Sequence, residues 1–250
     1  MRRLAVVLLA ILAALPAAAA PPANVAVAAN FGTTAKALAK QFAAQSGLEV
    51  NITTGSSGKF YAQIEHGAPF DLFLSADAER PELLEQRGLA VPGSRFTYAI
   101  GRMVLLSVDA GLKGQDCRTA LAEGRFKHLA IANPKVAPYG VAAVAVLKRL
   151  GITPESLGER LVMGESISQA LSFVATGSAQ LGFVALSQVK DLPAVACRWD
   201  VPAEFHAPIV QQAVLLKRAA DNGTARNFHR YLQSEAARAL IRGDGYDVNP

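Results

Sequence analysis

The 250-residue chain has few residues of the kinds that build metal centres and catalytic sites. Its four histidines have no partner three or four positions away, and its two cysteines lie 80 residues apart, which fits no zinc-binding pattern. A G-x-S-x-G nucleophile elbow is absent. The segment Gly55–Lys59 has the wrong spacing for a phosphate-binding P-loop. We therefore expect no catalytic residues and no cofactor.

Charged residues are also scarce, at 18% of the chain, and the formal net charge is only +5. No cluster of Lys or Arg is long enough to follow a phosphate backbone, so nucleic acid is not an expected partner. The hydrophobic fraction of 51% is typical of a packed globular protein rather than a disordered one.

One long apolar run is present, and it lies at the start of the chain. Arg2 and Arg3 precede the uncharged segment Leu4–Leu15, which is followed by Pro16 and a run of alanines. This order predicts a secretory signal peptide over residues 1–19. The alternative, a transmembrane anchor, needs a longer run to cross a hydrocarbon core of roughly 30 Å. We expect the mature protein in the periplasm.

Export to an oxidising compartment permits a disulfide bond between Cys117 and Cys197. Two free buried thiols are the alternative.

Short apolar segments alternate with helical patterns along the rest of the chain. Val25–Ala29 reads as a buried strand, and a helical apolar stripe follows, with Thr33 or Thr34 as its cap and Gly47 as its stop. Such alternation predicts an α/β protein with largely parallel sheets. No single linker divides the chain, as expected when two lobes are joined by two crossings. We place the crossings near Tyr98–Arg102 and Phe205–Gln211.

Several predicted strands end in small, hydroxyl or amide residues just before a helix. Asn30, Ser57, Tyr139 and Ile167 each lie at such a junction. The first turn of a helix has unpaired N–H groups and partial positive charge, and ligands of open α/β sheets lie beyond the carboxyl ends of the strands. Each junction taken singly is most often only a helix cap. Together they indicate an anion site.

Five segments closely resemble the molybdate-binding proteins of ABC transporters (the ModA family). The resemblance spans Asn24 to Tyr246. It is carried by Ala28–Phe31, Gly55–Lys59, Gly67–Asp77, Asn133-Pro134 with Tyr139-Gly140, and Leu181–Ala185. It implies the type II periplasmic binding-protein fold, in which two α/β lobes, each a mostly parallel sheet flanked by helices, close over a ligand. With the crossings above, residues 20–100 and 212–250 form lobe I and residues 101–211 form lobe II.

The resemblance also implies a role for each junction residue. Asn30 and Ser57 of lobe I would offer side-chain and backbone donors, and Tyr139 and Ile167 of lobe II would offer backbone N–H groups. Some relatives have a tyrosine where this chain has Ala185. The Asn30 amide and the Tyr139 side chain are expected to replace that donor.

The implied ligand is the molybdate or tungstate dianion, and the implied partner is a transporter permease. We expect a monomer that binds molybdenum as an oxyanion, without direct side-chain coordination of the metal. A site with only neutral donors disfavours protonated phosphate, whose O–H would lack an acceptor. A binding protein for another tetrahedral oxyanion, such as sulfate, is one alternative. An exported enzyme such as a phosphatase is another.

Overall fold

The computed structural model describes residues 20–190, 192 and 194–248, and the predicted signal peptide lies outside them. Ten strands form two five-stranded sheets with helices packed against them. The strands β1–β10 are Ala23–Ala28, Val50–Gly55, Leu72–Ser75, Phe96–Gly101, Met103–Ser107, Leu129–Ala132, Leu161–Gly164, Leu181–Ala185, Cys197–Asp200 and Ile209–Leu215. The helices α1–α9 are Gly32–Ser46, Ser57–Glu65, Glu79–Gln86, Cys117–Ala122, Pro138–Arg149, Pro154–Leu157, Ile167–Ala175, Gly223–Tyr231 and Glu235–Gly243.

The two sheets have the same topology. The first has the order β2-β1-β3-β10-β4 and the second the order β7-β6-β8-β5-β9. In each, three adjacent strands are parallel, and the fourth strand is antiparallel to both of its neighbours. The fifth strand forms the edge of the sheet and runs in the same direction as the first three. Four strands of each sheet therefore point the same way. In both sheets the carboxyl ends of the parallel strands lie at one edge, where ligands of such sheets bind.

Two connections join the sheets. The chain leaves the first sheet at Gly101, the last residue of β4, and enters the second at Met103, the first residue of β5. It returns through β10, which pairs with β4 from Ile209 onward. The pairing register shifts between Gln211 and Gln212, which face Ala99 and Thr97, so β4 has a bulge with Tyr98 as its extra residue.

Each sheet has its own apolar core. In the first, Phe31 packs against Tyr98 and Tyr246, with ring centroids 4.6 and 5.2 Å apart. Tyr246 follows α9, so the contact between these three aromatic rings holds the segment after α9 beside β1 and β4. Because Phe31 is adjacent to Asn30, the same packing fixes the backbone at one of the predicted site residues.

A disulfide bond joins Cys117 and Cys197, whose Cα atoms lie 5.4 Å apart. Cys117 begins α4, and Cys197 begins β9, the edge strand of the second sheet. Both cysteines are buried. The bond therefore ties a short helix to the outermost strand of one sheet.

The predicted helix starts were correct at one junction and wrong at another. Ser166 caps α7 by accepting a hydrogen bond from the Gln169 N–H, as the sequence suggested. The prediction of Thr33 or Thr34 as the cap of α1 is wrong, since that helix continues directly from the turn Ala29–Phe31 and has no side-chain cap. The Thr34 hydroxyl instead donates to Asp244, 2.6 Å away.

No helix within the described residues is both long enough and apolar enough to cross a membrane.

Candidate functional site

A small cavity lies between the facing edges of the two sheets. The four residues predicted to bind the ligand all line it: Asn30, Ser57, Tyr139 and Ile167. Each is at least 96% buried. The structure therefore brings together residues that are as much as 137 positions apart in the chain (Asn30 to Ile167).

The first sheet supplies two of these residues. Asn30 lies in the helical turn Ala29–Phe31, directly after β1, and Ser57 is the first residue of α2, directly after β2 and the cap residue Ser56. The Ser57 Oγ accepts a hydrogen bond from the Ala76 N–H at 3.0 Å. Because its acceptor role is filled by the backbone, the hydroxyl proton remains available to donate to a bound anion.

The second sheet supplies the other two residues through its helix starts. Tyr139 is the second residue of α5, after Pro138, whose fixed backbone angle favours the first helical position. Ile167 is the first residue of α7. Among the described residues, no hydrogen bond engages the backbone N–H groups of Ser57, Tyr139 or Ile167. Unpaired first-turn N–H groups of three helices therefore surround one cavity.

The electrostatics of the cavity favour an anion without the help of a charged side chain. None of the described residues that line it is Asp, Glu, Lys, Arg or His. The starts of α2, α5 and α7 contribute the partial positive charge of their helix dipoles. A buried anion needs a hydrogen bond at nearly every oxygen because it loses its hydration, and bonds to an ionised acceptor are about twice as strong as neutral ones.

The two sheets are closed over the cavity. The Gly58 N–H donates to the Val136 carbonyl at 2.9 Å, and the Ser168 hydroxyl donates to the Ala29 carbonyl at 3.2 Å. Each bond joins a residue next to the cavity on one sheet to a residue on the other. The exposed ion pair Lys59–Glu165 also bridges the halves, as does Lys190–Asp244, whose carboxylate is mostly buried. Exposed pairs of this kind contribute little, about 0–1 kcal/mol each.

Residues 23–247 match the family of bacterial extracellular solute-binding proteins. The chain belongs to this family. It is 49% identical over 234 residues to the molybdate-binding protein ModA of Azotobacter vinelandii, covering 93% of this chain and 92% of that protein. It is 47% identical over 233 residues to ModA of Rhodobacter capsulatus, covering 93% and 90%.

The fold of this solute-binding protein is similar to the solved structure of the Azotobacter vinelandii periplasmic molybdate-binding protein. The TM-score is 0.85 at 44% identity, and the match covers 91% of this chain and 100% of that one. The resemblance and the two-lobed α/β fold that the sequence predicted are therefore confirmed.

Sequence reasoning missed a buried polar network beside Asn30. Its members are Tyr98, Gln211 and Tyr246, which lie on β4, on β10 and after α9. Burial is the largest cause of the raised pKa of the Tyr98, Tyr139 and Tyr246 hydroxyls, so all three remain protonated at neutral pH. One signal was present: Gln211 is a polar residue at an inward-facing position of a strand, where a network is required.

The replacement of the missing tyrosine donor by Asn30 and Tyr139 stays a prediction. Ala185 ends β8, is fully buried and pairs with Met103, and it does not line the cavity. The Tyr139 hydroxyl lies against Gln211, and the Asn30 amide nitrogen donates to Gln211 and Tyr246. In this arrangement both N–H groups of the Asn30 amide are used within the protein, and the Tyr139 hydroxyl accepts from Gln211.

A larger groove of about 510 Å³ opens beside the cavity, between α3 and α5. Alanine, proline and valine side chains form much of its wall, and the carboxylates of Asp77 and Glu79 also lie there. Arg80 also lines the groove and pairs with Asp77, so the two carboxylates still leave a net negative charge there, which repels an anion. The small cavity is therefore the better candidate for an anion site.

The described part of the chain contains no group of three or more His, Cys, Asp or Glu residues that could hold a metal ion.

Proposed function

We propose that this protein captures molybdate, and also tungstate, in the periplasm and delivers it to the membrane permease of an ABC transporter. The observation that carries the proposal is the convergence of unpaired helix-start N–H groups and the Ser57 hydroxyl on one buried, uncharged cavity. Relatives at 49% and 47% identity are molybdate-binding proteins, which supports the choice of oxyanion. The protein acts by binding and release, without catalysis or a cofactor.

The proposal assigns the ligand contacts to four residues. Ser57 donates through its hydroxyl and its backbone N–H, and Tyr139 and Ile167 donate through backbone N–H groups. Asn30 donates from the first lobe through its side-chain amide, which must first turn its nitrogen toward the ion. Lobe I comprises residues 20–100 and 212–250, and lobe II comprises residues 101–211. Sheet membership supports this division except at its margins, where Gly101 and Ile209–Gln211 pair within the first sheet.

In this proposal the protein is exported by its predicted signal peptide and acts as a monomer. Both lobes are needed for one site, and each binding residue comes from the same chain. A single copy therefore suffices to enclose the ion. Size-exclusion chromatography with light scattering should give the mass of one mature chain.

A thermal-shift panel tests the ligand assignment. At a hundredfold excess over its dissociation constant, a ligand that binds only the folded protein stabilises it by about 2.7 kcal/mol. We expect molybdate and tungstate to raise the melting temperature, and sulfate and phosphate to raise it far less. A clear shift with sulfate and none with molybdate would assign the protein to sulfate instead. Turnover of phosphate esters would contradict the absence of catalysis.

Replacing Ser57 with alanine should weaken molybdate binding roughly tenfold to a hundredfold, because one charge-assisted hydrogen bond of about 1.5–3 kcal/mol is lost. Isothermal titration calorimetry measures the change. Ser46→Ala is a matched control, since that hydroxyl bonds to the Phe42 carbonyl at the far end of α1. Equal affinity in Ser57→Ala and wild type would place the site elsewhere.

A further inference from the structure

The buried amide of Gln211 connects the two sides of the cavity. The side chain is fully buried, and Gln211 lies on β10 opposite the bulge of β4. Its Oε1 accepts hydrogen bonds from Asn30 Nδ2 at 2.8 Å and from the Tyr98 hydroxyl at 3.0 Å. Its Nε2 donates to the Tyr139 hydroxyl at 3.5 Å. One amide therefore contacts a cavity residue from each sheet.

The orientation of the Asn30 amide conflicts with anion binding. Both of its N–H groups are used, toward Gln211 and toward the Tyr246 hydroxyl at 3.1 Å. No hydrogen bond to Asn30 Oδ1 occurs within the described part of the chain. A carbonyl oxygen in an anion site repels the ion, whereas the amide nitrogen would bind it. An amide turned by half a rotation exchanges the two groups.

We propose that Gln211 is a positioning residue that sets the orientation of the Asn30 amide and couples it to Tyr139, and that both amides are reversed when the oxyanion is bound. The inference rests on the proposed oxyanion function. In the reversed state Asn30 Nδ2 donates to the ion, and Asn30 Oδ1 accepts from Gln211 Nε2.

The hydroxyl groups around Gln211 permit this reversal. The Tyr98 hydroxyl has one proton but faces two acceptors, the Ser75 carbonyl and Gln211 Oε1, each at 3.0 Å. After reversal it donates to Ser75 and accepts from Gln211 Nε2, so both contacts are satisfied. The Tyr139 hydroxyl, which now accepts from Gln211, donates to Gln211 Oε1 instead.

The reversal has one cost. Tyr246 loses the hydrogen bond that it accepts from Asn30 Nδ2. Its proton, which now goes to the Asn30 carbonyl at 2.7 Å, is then shared with Asn30 Oδ1. The new bond from Asn30 to an anion compensates, because a charge-assisted bond is stronger than the neutral one that it replaces.

Close packing holds Gln211 in reach of Tyr139. A Cβ atom added at Gly101 would lie 2.2 Å from the Tyr139 hydroxyl oxygen and 2.7 Å from Gln211 Nε2. The absence of a side chain at Gly101 therefore lets the Tyr139 ring reach the crossing strands. Since Tyr139 comes from the second sheet, its contact with Gln211 forms only when the lobes are closed.

A double-mutant cycle tests whether Gln211 acts through Asn30. Gln211→Met keeps the length of the side chain and removes its hydrogen bonds, and it should weaken molybdate binding roughly tenfold. In an Asn30→Ala background the same change should weaken binding less than about threefold, since the two residues act as a unit. Calorimetry gives the four dissociation constants. Gln212→Met is the control, because the Gln212 side chain bonds to Arg95 and Thr97 instead.

A spectroscopic measurement on the wild-type protein tests the reversal without relying on a variant that folds. The side-chain NH2 signals of Asn30 and Gln211 are assigned by their loss in the two variants. With molybdate bound, nuclear Overhauser contacts should join the Gln211 NH2 group to the Tyr98 ring. Contacts to the Tyr139 ring alone, or additive losses in the cycle, would overturn the inference. A wild-type protein that does not bind molybdate would instead overturn the proposed function.

Discussion

Replacing Gly58 with leucine is expected to weaken molybdate binding more than a hundredfold while the unliganded protein stays as stable as before. Gly58 is the second residue of α2, and its N–H meets the Val136 carbonyl across the cleft. A Cβ atom at this position would lie 2.9 Å from Val136 Cα and 3.0 Å from its carbonyl oxygen. The contacted atoms are backbone, so they cannot swing aside, and the lobes cannot close.

The size of the affinity loss follows from the hydrogen-bond donors that lobe closure places around the ion. The backbone donors of Tyr139 and Ile167 come from the second sheet. Losing two charge-assisted bonds of about 1.5–3 kcal/mol each removes about 3–6 kcal/mol of binding free energy. In an open molecule the added Cβ meets only the Arg80 guanidinium of its own lobe, 3.2 Å away, and that flexible side-chain end can move aside. Leucine in a helix is also more favourable than glycine by about 0.5–1 kcal/mol. Gly58→Ala should give an intermediate loss.

Calorimetry with molybdate and urea unfolding without it separate the two expectations. Gly223→Leu is a matched control, since Gly223 begins α8 and an added Cβ there meets nothing within 4 Å. The control should bind as wild type does. Small-angle scattering should show compaction on molybdate binding in the wild type and in the control, but not in Gly58→Leu. Full affinity in Gly58→Leu would mean that this contact is not part of the bound state.

Much of the candidate site could be predicted because its residues are marked locally. Four residues lie where a strand leads into the start of a helix, and the topology places these junctions at facing edges: Asn30, Ser57, Tyr139 and Ile167. The rule that ligands lie beyond the carboxyl ends of parallel strands then suffices to group them. The family resemblance added the ligand, which helix starts alone do not identify.

The network around Asn30 could not be predicted in the same way. Its hydrogen bonds join residues 181 and 216 positions apart, and no local pattern marks such pairs. The strand Cys197–Asp200 has no clear local signal either. It is four residues long, and its burial alternates weakly, so only its pairing with β5 defines it. Contacts between distant segments settle these features, and one sequence does not contain that information.

Removing the disulfide bond should lower the free energy of unfolding by about 3–5 kcal/mol, which is the second large effect. The bond closes a loop with a sequence separation of 80 residues, and the chain-entropy model gives about 4.5 kcal/mol for a loop of that size. The double variant Cys117→Ser, Cys197→Ser tests the expectation by urea unfolding. Molybdate affinity should change less than about threefold, since neither cysteine lines the cavity.

Reduced wild-type protein provides the control for the two serines. If the loss comes from the missing cross-link, wild type treated with reductant under denaturing conditions should unfold at the same urea concentration as the variant, and the variant should not respond to reductant. Because the bond fastens the edge strand β9 to α4, hydrogen exchange should speed up first in those two segments. An unchanged unfolding midpoint in the variant would show that packing of the second sheet, rather than the cross-link, holds β9 in place.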